Sequence, residues 1–159
     1  MTATLAEPRA TEATPESTPA STQSAAPAKS RRINNMVWFE VPVTDLDRAV
    51  RFYEAAFATQ LLTHPNFPGL AMFPKMNDEA VTGALIRAGN SNDSHESMPC
   101  AGGTTVYLNC DGDLDGVLSR ALAAGGTLLQ EVAQLPGSMG YIAQFRDPDG
   151  NRIGLHATF

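Results

Sequence analysis

Apolar and polar residues recur with two different periods along this chain, one typical of strands and one typical of helices. Residues 36–43 and 104–110 are rich in β-forming side chains, which predicts two strands. Behind each strand, apolar residues recur at helical spacing, first over 46–57 and then from 114 to a glycine pair at 125–126. The chain therefore reads as strand followed by helix, twice.

Short segments with strand character follow each predicted helix and are separated by proline, glycine and asparagine. The predicted strands are 60–64, 69–73 and 81–88 after the first helix, and 127–131, 141–146 and 151–157 after the second. Residues 146–151 (RDPDGN) predict a tight turn between the last two strands.

The two halves are related by an internal repeat. Asp-Leu-Asp occurs at 45–47 and at 113–115, 68 positions apart, and Asp45 and Asp113 are both suited to cap a helix. At that offset, the first predicted strand and the predicted helix of the two halves coincide, and the order of the elements that follow is the same. The sequence thus predicts an α+β fold in which two βαβββ modules form a curved, mostly antiparallel eight-stranded sheet around a central pocket, with the helices outside.

Composition divides the chain into a tail and a domain. In residues 1–32, Ala, Thr, Pro and Ser fill 22 positions and no aromatic residue occurs, which predicts a disordered tail. The tail could be a targeting or docking arm, or a solvated segment with no specific role. The domain is predicted over 33–159, with modules at about 33–89 and 104–159 and a linker at 90–103.

Charge and cysteine content exclude several classes of function. The 159 residues carry a net charge of −6, and residues 33–159 hold 7 basic against 14 acidic side chains. We therefore expect no nucleic-acid partner, because phosphate binding needs clustered Lys and Arg. We also expect no membrane partner, because no apolar run approaches the roughly 18 residues of a membrane span. With two cysteines and no apolar leader, we expect a cytoplasmic protein.

Two motifs at opposite ends of the domain carry a family resemblance. Residues 39–53 (FEVPVTDLDRAVRFY) and 145–155 (FRDPDGNRIGL) resemble the opening and closing motifs of the vicinal oxygen chelate superfamily. This superfamily includes the glyoxalases, bleomycin-resistance proteins and extradiol dioxygenases. The resemblance covers about residues 34–158 and is closest to bacterial proteins related to lactoylglutathione lyase. It implies a small-molecule ligand and a homodimer.

The metal site of this family has no counterpart in the sequence. Metalloenzymes of the superfamily hold a divalent ion with His and Glu from the first and last strands of each half. The matching positions here are Trp38, Ile86, Val106 and Gly154, whose side chains cannot ligate a metal. We therefore expect no metal cofactor.

Strand alternation predicts which side chains face the pocket. If Trp38 points inward, the same parity and the repeat offset select residues on three strands. The predicted ligand-binding residues are Trp38, Glu40, Val106, Leu108, Arg152, Gly154 and His156. Trp38 could instead be ordinary core, Glu40 could meet a partner or water, and His156 could be partly exposed.

Three functions are compatible with these features. The first is a metal-free protein of the glyoxalase and bleomycin-resistance type that binds a small molecule. The second is a glyoxalase-like enzyme (lyase, isomerase or dioxygenase) in which Glu40 and His156 act as catalytic acid and base, or as a displaced metal site. The third is an interaction module whose acidic body docks on a partner protein.

Overall fold

The computed structural model describes residue 2 and residues 34–89 and 97–158. Apart from residue 2, the tail predicted at 1–32 lies outside the described residues, as does the first half of the predicted linker, residues 90–96. The tail therefore stays a prediction.

Eight strands and two helices make up the domain, in the predicted order. The first half contains β1 (Trp38–Val43), α1 (Leu46–Phe57), β2 (Leu62–His64), β3 (Phe67–Met72) and β4 (Thr82–Arg87). The second half contains β5 (Val106–Asn109), α2 (Leu114–Ala123), β6 (Thr127–Gln134), a 3₁₀ turn (Pro136–Ser138), β7 (Tyr141–Arg146) and β8 (Arg152–Ala157). The two βαβββ units are confirmed, and β6 runs three residues beyond its predicted end.

The helices begin and end where the sequence predicted. The Asp45 side chain accepts a hydrogen bond from the Arg48 N–H, and Ala58 closes α1 in the left-handed region with φ of 49°. The α2 helix begins after Asp113 without such a capping bond, and the Asp113 carboxylate instead pairs with Arg120 at 2.7 Å. The repeated aspartate thus caps only the first helix.

The eight strands form two four-stranded sheets rather than one continuous sheet. Their orders are β1-β4-β3-β2 and β5-β8-β7-β6. In each sheet the first and last strands of the half pair in parallel and the remaining neighbours pair antiparallel, so the prediction of a mostly antiparallel arrangement is confirmed. Among the described residues no ladder joins the edge strands β1 and β5, so the sheets do not close into a barrel.

One apolar core spans both halves. Both helices contribute to it, and the largest fully buried side chains are Tyr53, Phe145, Leu85, Leu155 and Val43. Arg120 Nε of α2 donates a hydrogen bond of 2.9 Å to the Ala56 carbonyl oxygen of α1, which fixes the helices against each other. Within the described residues, no helix has the length and apolar character to cross a bilayer.

Candidate functional site

Each sheet has a core face against the helices and an open face on the other side. On β1, Val41 and Val43 are buried in the core, while Trp38 and Glu40 point to the open face and are exposed. We call Trp38, Glu40 and Pro42, with their β4 neighbours Thr82, Ala84 and Ile86, the first open face. Trp38 is 38% exposed, so it belongs to this face and not to the core.

The second sheet presents a more polar surface. On β8, Ile153, Leu155 and Ala157 are buried, whereas Arg152 is exposed and His156 half-buried. The second open face consists of Tyr107 and Asn109 of β5, Ile142, Gln144 and Arg146 of β7, and Arg152, Gly154 and His156 of β8. Alternation along β8 places Arg152, Gly154 and His156 on the face turned away from the core, and their contact with a ligand stays a prediction.

The predicted orientation of β5 is wrong by one residue. Leu108 and Cys110 are buried in the core and Val106 packs against it, so Tyr107 and Asn109 face outward instead. The cause is the turn that follows. The α1 helix begins four residues after Pro42, whereas α2 begins five residues after Asn109.

One additional residue lies in the turn between β5 and α2. Gly112 sits there with φ of 82°, a conformation that glycine adopts without strain. The repeat offset read from the helices therefore shifts every β5 side chain to the opposite face. A glycine directly before the second Asp-Leu-Asp, with no counterpart before the first, is the signal that could have revealed this.

Glu40 and His156, the predicted acid–base couple, lie on different sheets. Glu40 Oε1 accepts a hydrogen bond of 3.1 Å from Trp38 Nε1. His156 Nε2–H donates to the Met139 carbonyl oxygen at 2.8 Å. Among the described residues no hydrogen bond or ion pair joins Glu40 to His156, so a single chain does not bring the couple together.

Gly154 allows an aromatic ring to cross the second open face. A Cβ built at Gly154 would collide with the Tyr107 ring, so the space predicted for a ligand is occupied by that ring. The Tyr107 hydroxyl accepts a hydrogen bond of 2.7 Å from Gln144 Nε2 on β7. Tyr107 thus spans β8 with one ring face on the strand, and it is 42% exposed.

A cleft of about 650 Å³ lies beside Tyr107. Phe39, Phe57 and Phe73 give the cleft an aromatic lining, and Tyr107, Leu108 and Asn109 of β5 also line it. Phe73 packs against both other rings, with centroids 5.5 Å from Phe39 and 6.4 Å from Phe57. We call this the aromatic cleft. Of the predicted ligand residues only Leu108 lines it, and the phenylalanine wall was not predicted from the sequence.

The turn between β7 and β8 anchors both open faces. Asp147 is 4% exposed, and its Oδ2 accepts hydrogen bonds from the Tyr53 hydroxyl at 2.8 Å and from Asn151 Nδ2 at 2.9 Å. Burial, and then the nearby Asp147 carboxylate, raise the pKa of Tyr53 well above its usual value. Asn151 Nδ2 also donates to the Pro42 carbonyl oxygen, which ties the turn to β1.

A second carboxylate of the same turn holds the start of α1. Asp149 Oδ1 accepts from the Thr44 N–H at 2.7 Å and pairs with Arg48 at 2.7 Å. The two motifs at the ends of the domain thus meet in one hydrogen-bonded junction. Their aspartates and asparagine serve packing and not chemistry at the open faces.

The two cysteine thiols differ in burial. Burial raises the pKa of Cys110 to about 12, which keeps this side chain as an uncharged thiol. Cys100 is exposed, and its sulfur accepts a hydrogen bond from the Gly102 N–H at 3.3 Å.

The open faces do not fit a metal of the kind the fold family implies. At three of the expected positions stand Trp38, Ile86 and Gly154, and the additional residue before α2 moves the fourth position from Val106 to Thr105, which offers only a neutral hydroxyl. Residues 34–89 and 97–158 contain no group of three or more His, Cys, Asp or Glu side chains placed to hold an ion.

Comparison with protein-family models gives one match. The model described as the glyoxalase/bleomycin resistance protein/dioxygenase superfamily matches residues 35–155. Comparison with curated protein sequences finds no significant match.

Solved structures share this fold at low sequence identity. A glyoxalase/bleomycin resistance protein from Albidiferax ferrireducens has a TM-score of 0.61 and 21% identity, covering 77% of this chain and 97% of its own. A glyoxalase-related enzyme from Fulvimarina pelagi has a TM-score of 0.60 and 21% identity, covering 79% and 88%. A hypothetical protein from S. aureus has a TM-score of 0.59 and 22% identity, covering 79% and 95%.

Proposed function

Because the chain belongs to the glyoxalase/bleomycin resistance protein/dioxygenase superfamily, we propose that it is a metal-free protein that binds a small molecule in the aromatic cleft. The observation that carries this proposal is the cleft itself. Its volume of about 650 Å³ matches the size of ordinary ligand sites. Its wall of Phe39, Phe57 and Phe73 suits an apolar or aromatic group, and Tyr107 and Asn109 supply polar contacts.

The identity of the side chains at the family's metal positions supports a metal-free site. Trp38 uses its N–H to bond Glu40, and Ile86 and Gly154 carry no donor atom. A divalent ion needs several oxygen, nitrogen or sulfur ligands arranged around one point. Binding and orientation of the ligand then depend on aromatic contacts and hydrogen bonds alone.

We further propose that the protein is a cytoplasmic homodimer. The first sheet exposes large apolar side chains on its β2–β3 hairpin, with Leu62 at 50% and Phe67 at 62% exposure. Apolar area of this kind on a domain surface suits burial against another protein surface. Light scattering coupled to size-exclusion chromatography measures the mass of the assembly. A monomer at micromolar concentration would contradict the proposed homodimer.

Native mass spectrometry of freshly purified, untagged protein tests the function. The proposal predicts a retained organic molecule, at up to one per chain, and no metal. Ala80 lines the aromatic cleft and is half-buried, so Ala80→Phe should fill the cleft and abolish retention. Ala123 is exposed at the end of α2, and Ala123→Phe, with the same added volume, should retain the molecule.

Three other outcomes of the mass-spectrometry experiment would count against this proposal. A protein that retains nothing, and that binds no member of a fragment library in the same instrument, would overturn the proposal. A stoichiometric metal ion that disappears in Glu40→Ala or His156→Ala would instead favour the displaced-metal enzyme. Retention that persists in Ala80→Phe would place the ligand outside the aromatic cleft.

A further inference from the structure

Two arginines stand directly opposite each other on the second open face. Arg146 ends β7 and Arg152 begins β8, and the two are paired across the antiparallel ladder. Both are exposed, and alternation places both on the side away from the helices, since Phe145 and Ile153 are buried. Paired arginines of this kind repel each other, because like charges directly opposite on neighbouring strands are destabilising.

Within the part of the chain that the structure describes, neither arginine forms an ion pair that would offset this repulsion. The ion pairs among residues 34–89 and 97–158 are Arg48–Asp149 and Arg120–Asp113, and neither involves Arg146 or Arg152. On its other side Arg146 faces Thr127 of β6. The Asp147 carboxylate, next in sequence, is turned into the core toward Tyr53.

Arg146 and Arg152 differ from the other basic side chains of the described residues in that they face each other across a strand ladder. The domain holds twice as many acidic as basic side chains, so acidic partners are plentiful elsewhere on the surface. Guanidinium groups form two parallel hydrogen bonds to carboxylate and phosphate oxygens. The position of the pair therefore fits a site for an oxyanion.

The pair lies within reach of the Tyr107 ring. Arg152 is two residues from Gly154, which pairs with Tyr107, and Arg146 is two residues from Gln144, which bonds the Tyr107 hydroxyl. Two residues of a strand span about 7 Å, which is close to the length of a benzene ring carrying an acid group. Tyr107 also lines the aromatic cleft, so the cleft and the arginine pair share this residue.

We propose that Arg146 and Arg152 bind the oxyanion, carboxylate or phosphate, of an aromatic ligand whose ring stacks on Tyr107. This inference rests on the proposed function and names the class of ligand. The net negative charge of the protein disfavours anions in general, so the arginine pair selects among aromatic molecules for those with an acid group at the correct distance from the ring.

Nuclear magnetic resonance with the full-length, ¹⁵N-labelled chain tests it. The probes are phenyl phosphate, benzoate, inorganic phosphate (no ring) and benzyl alcohol (no charge). Phenyl phosphate and benzoate should shift the Arg146 and Arg152 Nε–H signals and the Gly154 amide signal, with saturation in the millimolar range. Inorganic phosphate and benzyl alcohol should both bind more weakly than phenyl phosphate and benzoate.

Substitutions assign the contacts. Arg146→Gln and Arg152→Gln should each lower the affinity for phenyl phosphate by about tenfold, because one charge-assisted hydrogen-bonding contact is lost. Arg51→Gln, on the exposed side of α1, removes the same charge from the protein and should leave affinity unchanged. Tyr107→Leu should reduce the preference for phenyl phosphate over inorganic phosphate.

Each other outcome overturns this inference in an identifiable way. Equal affinity for inorganic and phenyl phosphate would exclude stacking on Tyr107. If Arg51→Gln and Arg152→Gln weakened the binding of phenyl phosphate equally, the loss would come from the net charge of the protein and not from a contact at Arg152. Absence of shifts with both aryl acids would exclude the oxyanion site, while native mass spectrometry would still decide whether the aromatic cleft binds a neutral molecule.

Discussion

At the scale of single residues, the hydrogen bond from Tyr53 to Asp147 joins the two halves of the domain. Tyr53→Phe removes the hydroxyl and leaves Asp147 Oδ2 with Asn151 Nδ2 as its remaining side-chain donor. We expect the free energy of unfolding to fall by about 1–3 kcal/mol, because a buried carboxylate oxygen loses a donor. Urea unfolding of Tyr53→Phe measures this, and the exposed Tyr141→Phe is the control. Equal stability of the two variants would contradict the role of this bond.

The contact between Gly154 and Tyr107 gives a second prediction at this scale. Gly154→Ala places a methyl group against the Tyr107 ring and should cost about 1–3 kcal/mol through overpacking. In a Tyr107→Ala background the same substitution should cost almost nothing, because the ring is gone. Denaturant unfolding of the four proteins in this cycle measures the coupling. Additive effects would show that Tyr107 does not lie on Gly154.

Single residues also show what sequence reasoning could reach. Alternation fixes the parity of a whole strand, so the sequence could predict that Trp38 and Glu40 share a face of β1, and their contact with a ligand stays a prediction. Tyr107 could not be placed, because one inserted residue in the following turn reverses the parity. The sequence could not predict the distance between Glu40 and His156 either. Alternation assigns each residue to a face of its own strand and does not show how the two sheets are arranged.

At the scale of elements, the two helices are capped differently despite the same Asp-Leu-Asp motif. Asp45→Ala removes the bond to the Arg48 N–H and should lower the melting temperature, whereas Asp45→Asn should largely preserve it because Asn also caps. Asp113→Ala removes no capping bond and should have the smaller effect. Circular dichroism of the three variants measures this, and a larger loss in Asp113→Ala would contradict it.

The same cap predicts a pH dependence. The Arg48 N–H holds the pKa of Asp45 below its ordinary value of 3.8. A depressed pKa means that the cap stabilises the fold above pH 3.8, and that this stabilisation is lost as the pH falls through the folded-state pKa. The difference in melting temperature between wild type and Asp45→Ala should therefore shrink on acidification below that pH.

The elements themselves were predictable from the sequence, and their assembly into sheets was not. Helical spacing identified both helices, and β-forming segments bounded by proline, glycine and asparagine identified all eight strands. Continuity between β1 and β5 depends on backbone pairing at the sheet edges, which side-chain patterns do not encode. The two separate sheets were therefore visible only in the structure.

At the scale of the whole molecule, the tail and the domain should be independent. A chain lacking residues 1–32 should melt within about 2 °C of the full chain, because a segment of this composition adds little to cooperative unfolding. Differential scanning calorimetry of both proteins measures this. A loss of several degrees would show that the tail packs on the domain.

The central claim is that this member of the superfamily works without a metal, and elemental analysis of untagged protein tests it most directly. The account predicts no divalent metal at stoichiometric amounts, in the protein as purified or after dialysis against zinc, nickel or manganese, and no change in melting temperature with excess EDTA, because no bound ion would be removed. One metal ion per chain, lost on substitution of Glu40 or His156 and accompanied by an EDTA-sensitive melting temperature, would contradict it.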